Sequence, residues 1–475
     1  MLSTLRSWWQ DKLLKGVLKN TSYLFSSNTL SAALSMLNSI FVTRLLGMDG
    51  LGLVATVQTF TSNINRLLSF RMSEVVVKYL GQAIAGEQDE ADPSPRNPRP
   101  TAMNNTQAAA IIKGIGLIEA VTSILAYLVL LLLTPWATQL FAKDLSVAGL
   151  FRIYGLMLLA NLLYETSTGV LQAYKRFNWL AIVNSIQSII TAVLIFLAFI
   201  LKFGVLEVLE AYLLGKAFAG IAVSTLAFWQ MGRSLGGAWW SAAIGEVKEW
   251  RTILGFALNT NLNGTVNLVT RDNIPLYLAA MSPGALARAY VGYYKLGSSI
   301  INFVTLPIDP FIWPTYAEIT RTIALREWQK TRSLLKRLST IAAAWTLAAT
   351  AGLALLGWWL IPVVYGAATQ PVYPVVLILI IGYGTANILN WNRPLLLALG
   401  KPSFPLLVAL EVGAVEILLI LWLVPAGGYL VIAAILSGYL AISVGLTTWR
   451  GWREIRARET SELITHEPVS KDMPV

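Results

Sequence analysis

The sequence runs to 475 residues, of which 56% are hydrophobic and only 13% charged, with a formal net charge of +11 and a mean hydropathy of +0.61. So little charge over so much apolar sequence excludes an ordinary water-soluble domain. There is no cysteine and one histidine, His466, in a polar C-terminal stretch; disulfides, thiolate metal sites and histidine-based catalysis lose their carriers.

In chain order, residues 1–20 (MLSTLRSWWQDKLLKGVLKN) are interrupted by basic and polar residues and offer no small-residue cleavage site, so they do not read as a signal peptide. Leu5, Trp8, Trp9, Lys12, Leu13 and Lys15 suit an interfacial amphipathic segment or a plain basic anchor. Apolar segments then follow at approximately 22–45, 52–72, 108–133, 147–171, 180–201, 208–230, 252–279, 288–313, 338–362, 373–396, 402–424 and 428–449. Crossing a hydrocarbon core of about 30 Å takes roughly 20 apolar residues in a helix. Barrel-type alternation is absent. The expected fold is therefore an all-α integral membrane protein of twelve transmembrane helices.

Between the segments, residues 81–107 are rich in Pro, Asp, Glu and Asn and read as a flexible inside loop, and residues 314–337 form a second long polar stretch. Residues 231–250, containing SLGGAWWSAAIGEVKEW, read as a cytoplasmic connector between a six-helix bundle at 21–230 and another at 251–450, with a polar cytoplasmic tail at 451–475. With the N-terminus inside, most of the 36 Lys and Arg fall in inside loops, and the outside loops hold only Arg44, Lys143, Lys202 and Arg288. This positive-inside bias places both termini in the cytoplasm. It also explains the net charge through anionic lipid, not nucleic acid. The short outside loops leave no room for the external catalytic domain of a polymerase or glycosyltransferase, so a non-enzymatic transporter is the better class.

Two pairs of stretches suggest parallel repeats. TRLLGMDGLGLVATV (43–57) corresponds to AAMSPGALARAYVGYYK (279–295), and GVLQAYKRFNWLAIVNS (169–185) to PLLLALGKPSFPLLVAL (394–410), each pair on the same side of the membrane. A substrate site then belongs between the halves, near the midplane. With the small-residue turns at Leu46 to Gly52 and Ser282 to Tyr290, Asp272 near the end of the seventh span, LPIDPFIWPTYAEI ending the eighth, and LLALGKPSF between the tenth and eleventh, the chain resembles the polysaccharide-transporter, Wzx-type branch of the multidrug/oligosaccharidyl-lipid/polysaccharide flippase superfamily. The resemblance covers residues 20–450. It implies a V-shaped transporter in the cytoplasmic (inner) membrane that flips undecaprenyl-pyrophosphate-linked oligosaccharides by alternating access, in company with membrane lipids, a glycan polymerase and export machinery. Lipid II flippases of the superfamily typically have fourteen spans, and the polar sequence after residue 450 argues against that substrate.

Polar stripes at helical spacing supply the candidate site. Asn259, Asn263, Asn267 and Arg271 recur every four residues; Lys295, Ser298, Asn302, Thr305 and Asp309 step by three or four; Ser27, Ser31, Ser35, Ser39 and Thr43 form a ladder in the first span; Asn63, Arg66, Ser69 and Ser73 follow a drifting face in the second. Serine and asparagine stripes also serve plain helix packing, whereas ionisable residues at depth cost from about 2.5 kcal/mol upward and face a wet cavity or a partner. Arg66, Arg71, Lys216, Asn263, Asn267, Arg271, Lys295 and Asn302 are the candidate substrate-binding set. Counting rise per residue sets Lys216, Arg271 and Lys295 in the outer half and Arg66, Arg71 and Glu165 nearer the cytoplasm, a cation ladder suited to pyrophosphate and acidic glycan. Lys113 and Arg152, near span ends, read as snorkelling residues.

Asp272 lies about 100° around a regular helix from Arg271, so it either pairs with a cation from another helix or binds a coupling ion. Asp309, between Pro307 and Pro310, reads equally as gating hinge and helix end. With Glu165 and Glu416 these are the coupling-ion or gating candidates; the ion would be a proton or sodium, with no metal site or other cofactor. The competing reading is a cation-coupled multidrug or metabolite antiporter of the multidrug and toxin extrusion type. Deep cations that match or outnumber deep acids favour the lipid-linked oligosaccharide.

Overall fold

The structure, a computed structural model, describes residues 12–68, 72–90, 105–247, 250–284, 286–308 and 312–465, and every regular element among them is helical. Helices satisfy each backbone N–H and C=O within one segment, which apolar surroundings require. In chain order they are α1 (Lys12–Leu68), α2 (Met72–Glu90), α3 (Asn105–Ala137), α4 (Ala148–Gly155), α5 (Met157–Ala160), α6 (Tyr164–Ala173), α7 (Phe177–Ile200), α8 (Val205–Ser234), α9 (Trp250–Asn267), α10 (Ile274–Met281), α11 (Ala287–Thr305), α12 (Ile312–Ala324), α13 (Trp328–Tyr365), α14 (Val372–Ile388), α15 (Asn392–Ala398) and α16 (Ser403–Thr465).

Eight helical stretches among the described residues are long and apolar enough to cross a membrane. Two of these, α1 and α16, are bent at Gly47 (φ 69°) and Gly428 (φ 60°), a left-handed conformation that glycine adopts without strain. The outward faces of the spans are apolar: Leu132 of α3 and Trp422 of α16 are 78% and 76% exposed, the inverse of a water-soluble surface.

Two sequence expectations change here. The stretch expected as an inside loop from residue 81 stays helical to Glu90. The fourth span, expected as one run over 147–171, is broken into α4, α5 and α6, with turns at residues 161–163. The break follows from a partner on another helix. Glu119 of α3, 1% exposed, accepts the backbone N–H groups of Glu165 and Thr166, one on each carboxylate oxygen, both at 2.8 Å. A carboxylate thereby satisfies two of the four orphan donors that open α6.

Packing separates the chain into two units, Met1–Leu296 with Val364–Ala368, and Gly297–Val363 with Thr369–Val475. In the first, α1 lies along α7. Ser27 donates to the Ala181 carbonyl (2.9 Å), Ser185 to Ser27 (3.2 Å) and Ser188 to Ser31 (2.7 Å), so this end of the serine ladder serves helix packing. Val75, Val76, Ile111, Ile115, Val170 and Val223 fill the centre between α2, α3, α6 and α8. In the second unit α14 lies along α16, with Ser437 donating to the Ile378 carbonyl at 2.7 Å. Trp391, 2% exposed, anchors a core with Ile319, Leu335 and Ile455 and donates to Ser339 at 2.8 Å.

Candidate functional site

The candidate site starts from an irregular turn. Between α9 and α10 the chain makes a π-helical turn, Leu268–Asp272, with Pro275 just beyond it at the start of α10. Proline has no N–H to return to the Arg271 carbonyl four residues back. A single π turn widens the helix and changes the angular spacing of its side chains, and such turns concentrate at functional sites. Arg271 and Asp272 are both exposed on it.

Asp272 finds its cation on another helix. The Arg66 guanidinium, in the second half of α1, donates to the Asp272 carboxylate. One turn earlier on the same face, Asn63 donates to the Asn273 side-chain oxygen at 2.6 Å. Arg66, Asn63, Asp272 and Asn273 are thus brought into one polar cluster by α1 and the turn between α9 and α10.

Arg66 stands in the last turn of α1, two residues from the end of a stretch apolar and long enough to cross a membrane. The side chains of Arg66 and Asp272 are 55% and 44% exposed. Half-uncovered charges call for water or polar head groups around them, since hydrocarbon exacts an insertion penalty. Arg66, expected nearer the cytoplasm than Arg271, reaches the residue beside Arg271 with its side chain.

The outer ends of the same elements are clasped differently. Gly52 of α1 and Gly292 of α11 cross so closely that a Cβ on Gly52 would stand 1.8 Å from the Arg288 carbonyl oxygen, and one on Gly292 2.2 Å from that of Met48. Gly52 closes the first of the two small-residue turns matched in the sequence, and Gly292 lies two residues beyond the second. Beside them Arg288 donates to Asp144 (3.0 Å) and to the Ala142 carbonyl (3.1 Å), and Lys143 to the Ala280 carbonyl (3.0 Å). Asp144 accepts further bonds from the Ser146 hydroxyl (2.7 Å) and N–H (2.9 Å). The Ser146 bonds, then Arg288, push its carboxyl down to about 2.

The remaining candidates are dispersed. Lys216 stands exposed on α8, and Asn267 exposed at the end of α9. Glu165 accepts from Ser73 at 2.6 Å, beside the Glu119 cap. In the second unit Asn302 is exposed on α11 and Glu416 is buried in α16. Arg71 and Asp309 lie outside the described residues, and so does the side chain of Asn263 on α9. Sequence reasoning missed Glu119, whose signal was an acid in the middle of the apolar run 108–133. Lys113, read as snorkelling from a span end, donates to the Trp240 and Ala242 carbonyls of the connector (2.8 and 3.3 Å). Among the described residues no three His, Cys, Asp or Glu side chains gather as a metal site.

Comparison with known proteins gives the arrangement its context. Residues 17–320 match a family described as polysaccharide biosynthesis protein. Over 200 residues, 42% of this chain, the sequence is 22% identical to the inner membrane protein YghQ of Escherichia coli (strain K12), and the match spans 52% of that protein's length. An inward-facing multidrug resistance MATE family transporter of the MOP superfamily superposes with a TM-score of 0.65 at 14% identity, covering 90% of this chain and 96% of that one. The lipid II flippase MurJ, in an inward closed conformation, superposes with a TM-score of 0.62 at 16% identity, covering 93% and 91%. A mutant of the Vibrio cholerae MATE transporter VcmN gives a TM-score of 0.57 at 15% identity, covering 94% and 97%. At these identities the structural likeness concerns the fold.

Proposed function

Because the chain belongs to the polysaccharide biosynthesis protein family, as a multi-pass inner-membrane protein of flippase type, we propose that it translocates an undecaprenyl-pyrophosphate-linked oligosaccharide, a surface polysaccharide or O-antigen precursor, across the cytoplasmic membrane by alternating access. In this reading both termini are cytoplasmic and twelve helices span the bilayer, with α1 and α16 each counting as two spans at their glycine bends, and α9–α10 and α11 supplying the two most polar ones.

The observation that carries the substrate class is the half-exposed Arg66–Asp272 pair. A guanidinium already facing water can exchange one carboxylate for the oxygens of a pyrophosphate, because both are bound by the same charge-assisted bonds. Asp272 would then hold Arg66 in place between cycles and compete with the departing anion. Arg271, exposed on the π turn, and Lys216 would extend the cationic path toward an acidic glycan.

The test is export of surface glycan in a strain lacking its own flippase. Lys295→Gln or Arg271→Gln is expected to abolish export while the protein stays in the membrane at normal level; full complementation by the double variant would rule out the cationic mechanism. The alternative, a cation-coupled multidrug antiporter, draws on Asp272, a half-exposed carboxylate that could attract a cationic compound. Efflux of a cationic dye that survives Arg66→Gln and is lost in Asp272→Asn would favour it.

A further inference from the structure

We propose that the first unit carries a binding site for one acyl chain of an anionic glycerophospholipid of the cytoplasmic leaflet, seated beneath the connector. A cavity of about 270 Å³ lies between α3, α6, α8 and the connector's two short turns, Gly237–Ser241 and Ile244–Glu246. Leu117, Ala120, Val170, Phe228, Met231 and Trp239 make its wall apolar. It is not an interior void: Leu117, Phe228 and Trp240, all of which line it, are exposed on the outer face of the unit. A side opening between transmembrane helices admits a hydrocarbon chain, and filling the space restores dispersion contacts that an empty cavity forfeits.

Among the described residues one charged side chain lines the cavity, and it selects the head group. Lys113 gives two bonds to the Trp240 and Ala242 carbonyls and sits 6.0 Å from the centroid of the Trp240 ring. An ammonium has three donors, so one remains for a phosphate oxygen. A single donor at the rim suits one phosphodiester. A pyrophosphate, with more charge and more oxygens, would call for several cations, and among the described residues no other that lines the cavity is charged. The charge bias of the loops puts this end of α3 at the cytoplasmic surface, where anionic lipids concentrate, and tryptophans such as Trp239 and Trp240 favour that interface.

The position gives the bound chain something to do. Leu163, Thr166 and Ser167 line the cavity at the point where the broken fourth span restarts under the Glu119 cap. An occupant would press the connector, α6 and α8 against one surface and hold the break in its observed geometry. The site does not depend on which substrate is transported.

The experiment uses the full-length protein, purified in detergent and depleted of lipid, with phosphatidylglycerol carrying a photoactivatable acyl chain. Crosslinks are expected in peptides covering residues 112–120 and 227–244. Unlabelled phosphatidylglycerol should compete at least as well as the probe and phosphatidylcholine poorly. Lys113→Gln should weaken labelling about tenfold, the range of one charge-assisted bond. Ala120→Trp, which fills the cavity, should remove these crosslinks while labelling elsewhere persists; Ala120→Leu serves if the tryptophan variant is recovered poorly. Labelling spread evenly over the spans, or unchanged by filling the cavity, would overturn the proposal. So would a polyprenyl pyrophosphate that competes better than phosphatidylglycerol, since it would assign the cavity to the carrier's own chain.

Discussion

Two arginine–aspartate pairs lie in the first unit, and their surroundings differ. At the outer end, Arg288–Asp144 is backed by the Ala142 carbonyl and two Ser146 bonds and stands beside the Gly52–Gly292 crossing. In the last turn of α1, Arg66–Asp272 has the neighbouring Asn63–Asn273 bond and a π turn around it, and both side chains are about half exposed. The outer pair is fixed by many bonds that agree with one another. The inner pair has one neighbouring bond and open surroundings, as the proposed exchange of its carboxylate for another anion requires. A carrier needs both kinds of joint, one that sets where helices meet and one that a ligand can enter.

The largest effect is expected where the outer joint has no slack. Gly52→Ala places a methyl within 1.8 Å of a backbone oxygen, so backbones must separate, and the stability loss should reach about 3 kcal/mol, the upper range for overpacking. A thermal midpoint in detergent equal to that of the natural protein would mean the crossing is not tight. Next comes a residue that neither pair uses. Glu119→Ala leaves two helix-opening N–H groups without their acceptor, at about 1–3 kcal/mol, and Glu119→Gln, which keeps one carbonyl oxygen, should fall between. Transport per folded molecule should change less than stability in both.

The inner pair gives an asymmetric prediction. If Arg66 receives the anion and Asp272 only holds it, Arg66→Gln should lower translocation about tenfold, equivalent to about 1.4 kcal/mol, and Asp272→Asn distinctly less. A purely structural ion pair would lose similar amounts from either side. The smallest effect belongs to Asp144. Its carboxyl is held down to about 2, so its stabilising contribution is present above the ordinary carboxylate value and is lost only as pH falls toward that lower one. Thermal midpoints should therefore show no titration of this pair between about pH 5 and pH 8. Asp144→Asn should lower the midpoint slightly, more in low salt than in high salt.

The sequence made the apolar helices legible because a bilayer demands long apolar runs, and the close approach at Gly52 and Gly292 because small residues cluster around both. It also showed that Asp272 was not the simple partner of Arg271. It could not show that Arg66 was the partner, since neighbouring helices are set by packing between distant segments. The arithmetic of 100° per residue assumed a regular helix where Pro275 permits a wider turn. The break in the fourth span was hidden for a similar reason: Asn161, Leu162 and Leu163 carry no strong breaking signal, and the group that stabilises the break, Glu119, comes from another helix.

Translocation of a fluorescent lipid-pyrophosphate oligosaccharide in proteoliposomes, compared between the natural protein, Arg66→Gln and Asp272→Asn, tests the central claim most directly. The account predicts translocation by the natural protein, about a tenfold loss in Arg66→Gln, a smaller loss in Asp272→Asn, and no efflux of a cationic dye. Equal translocation by all three proteins, or dye efflux without movement of the lipid-linked oligosaccharide, would contradict it.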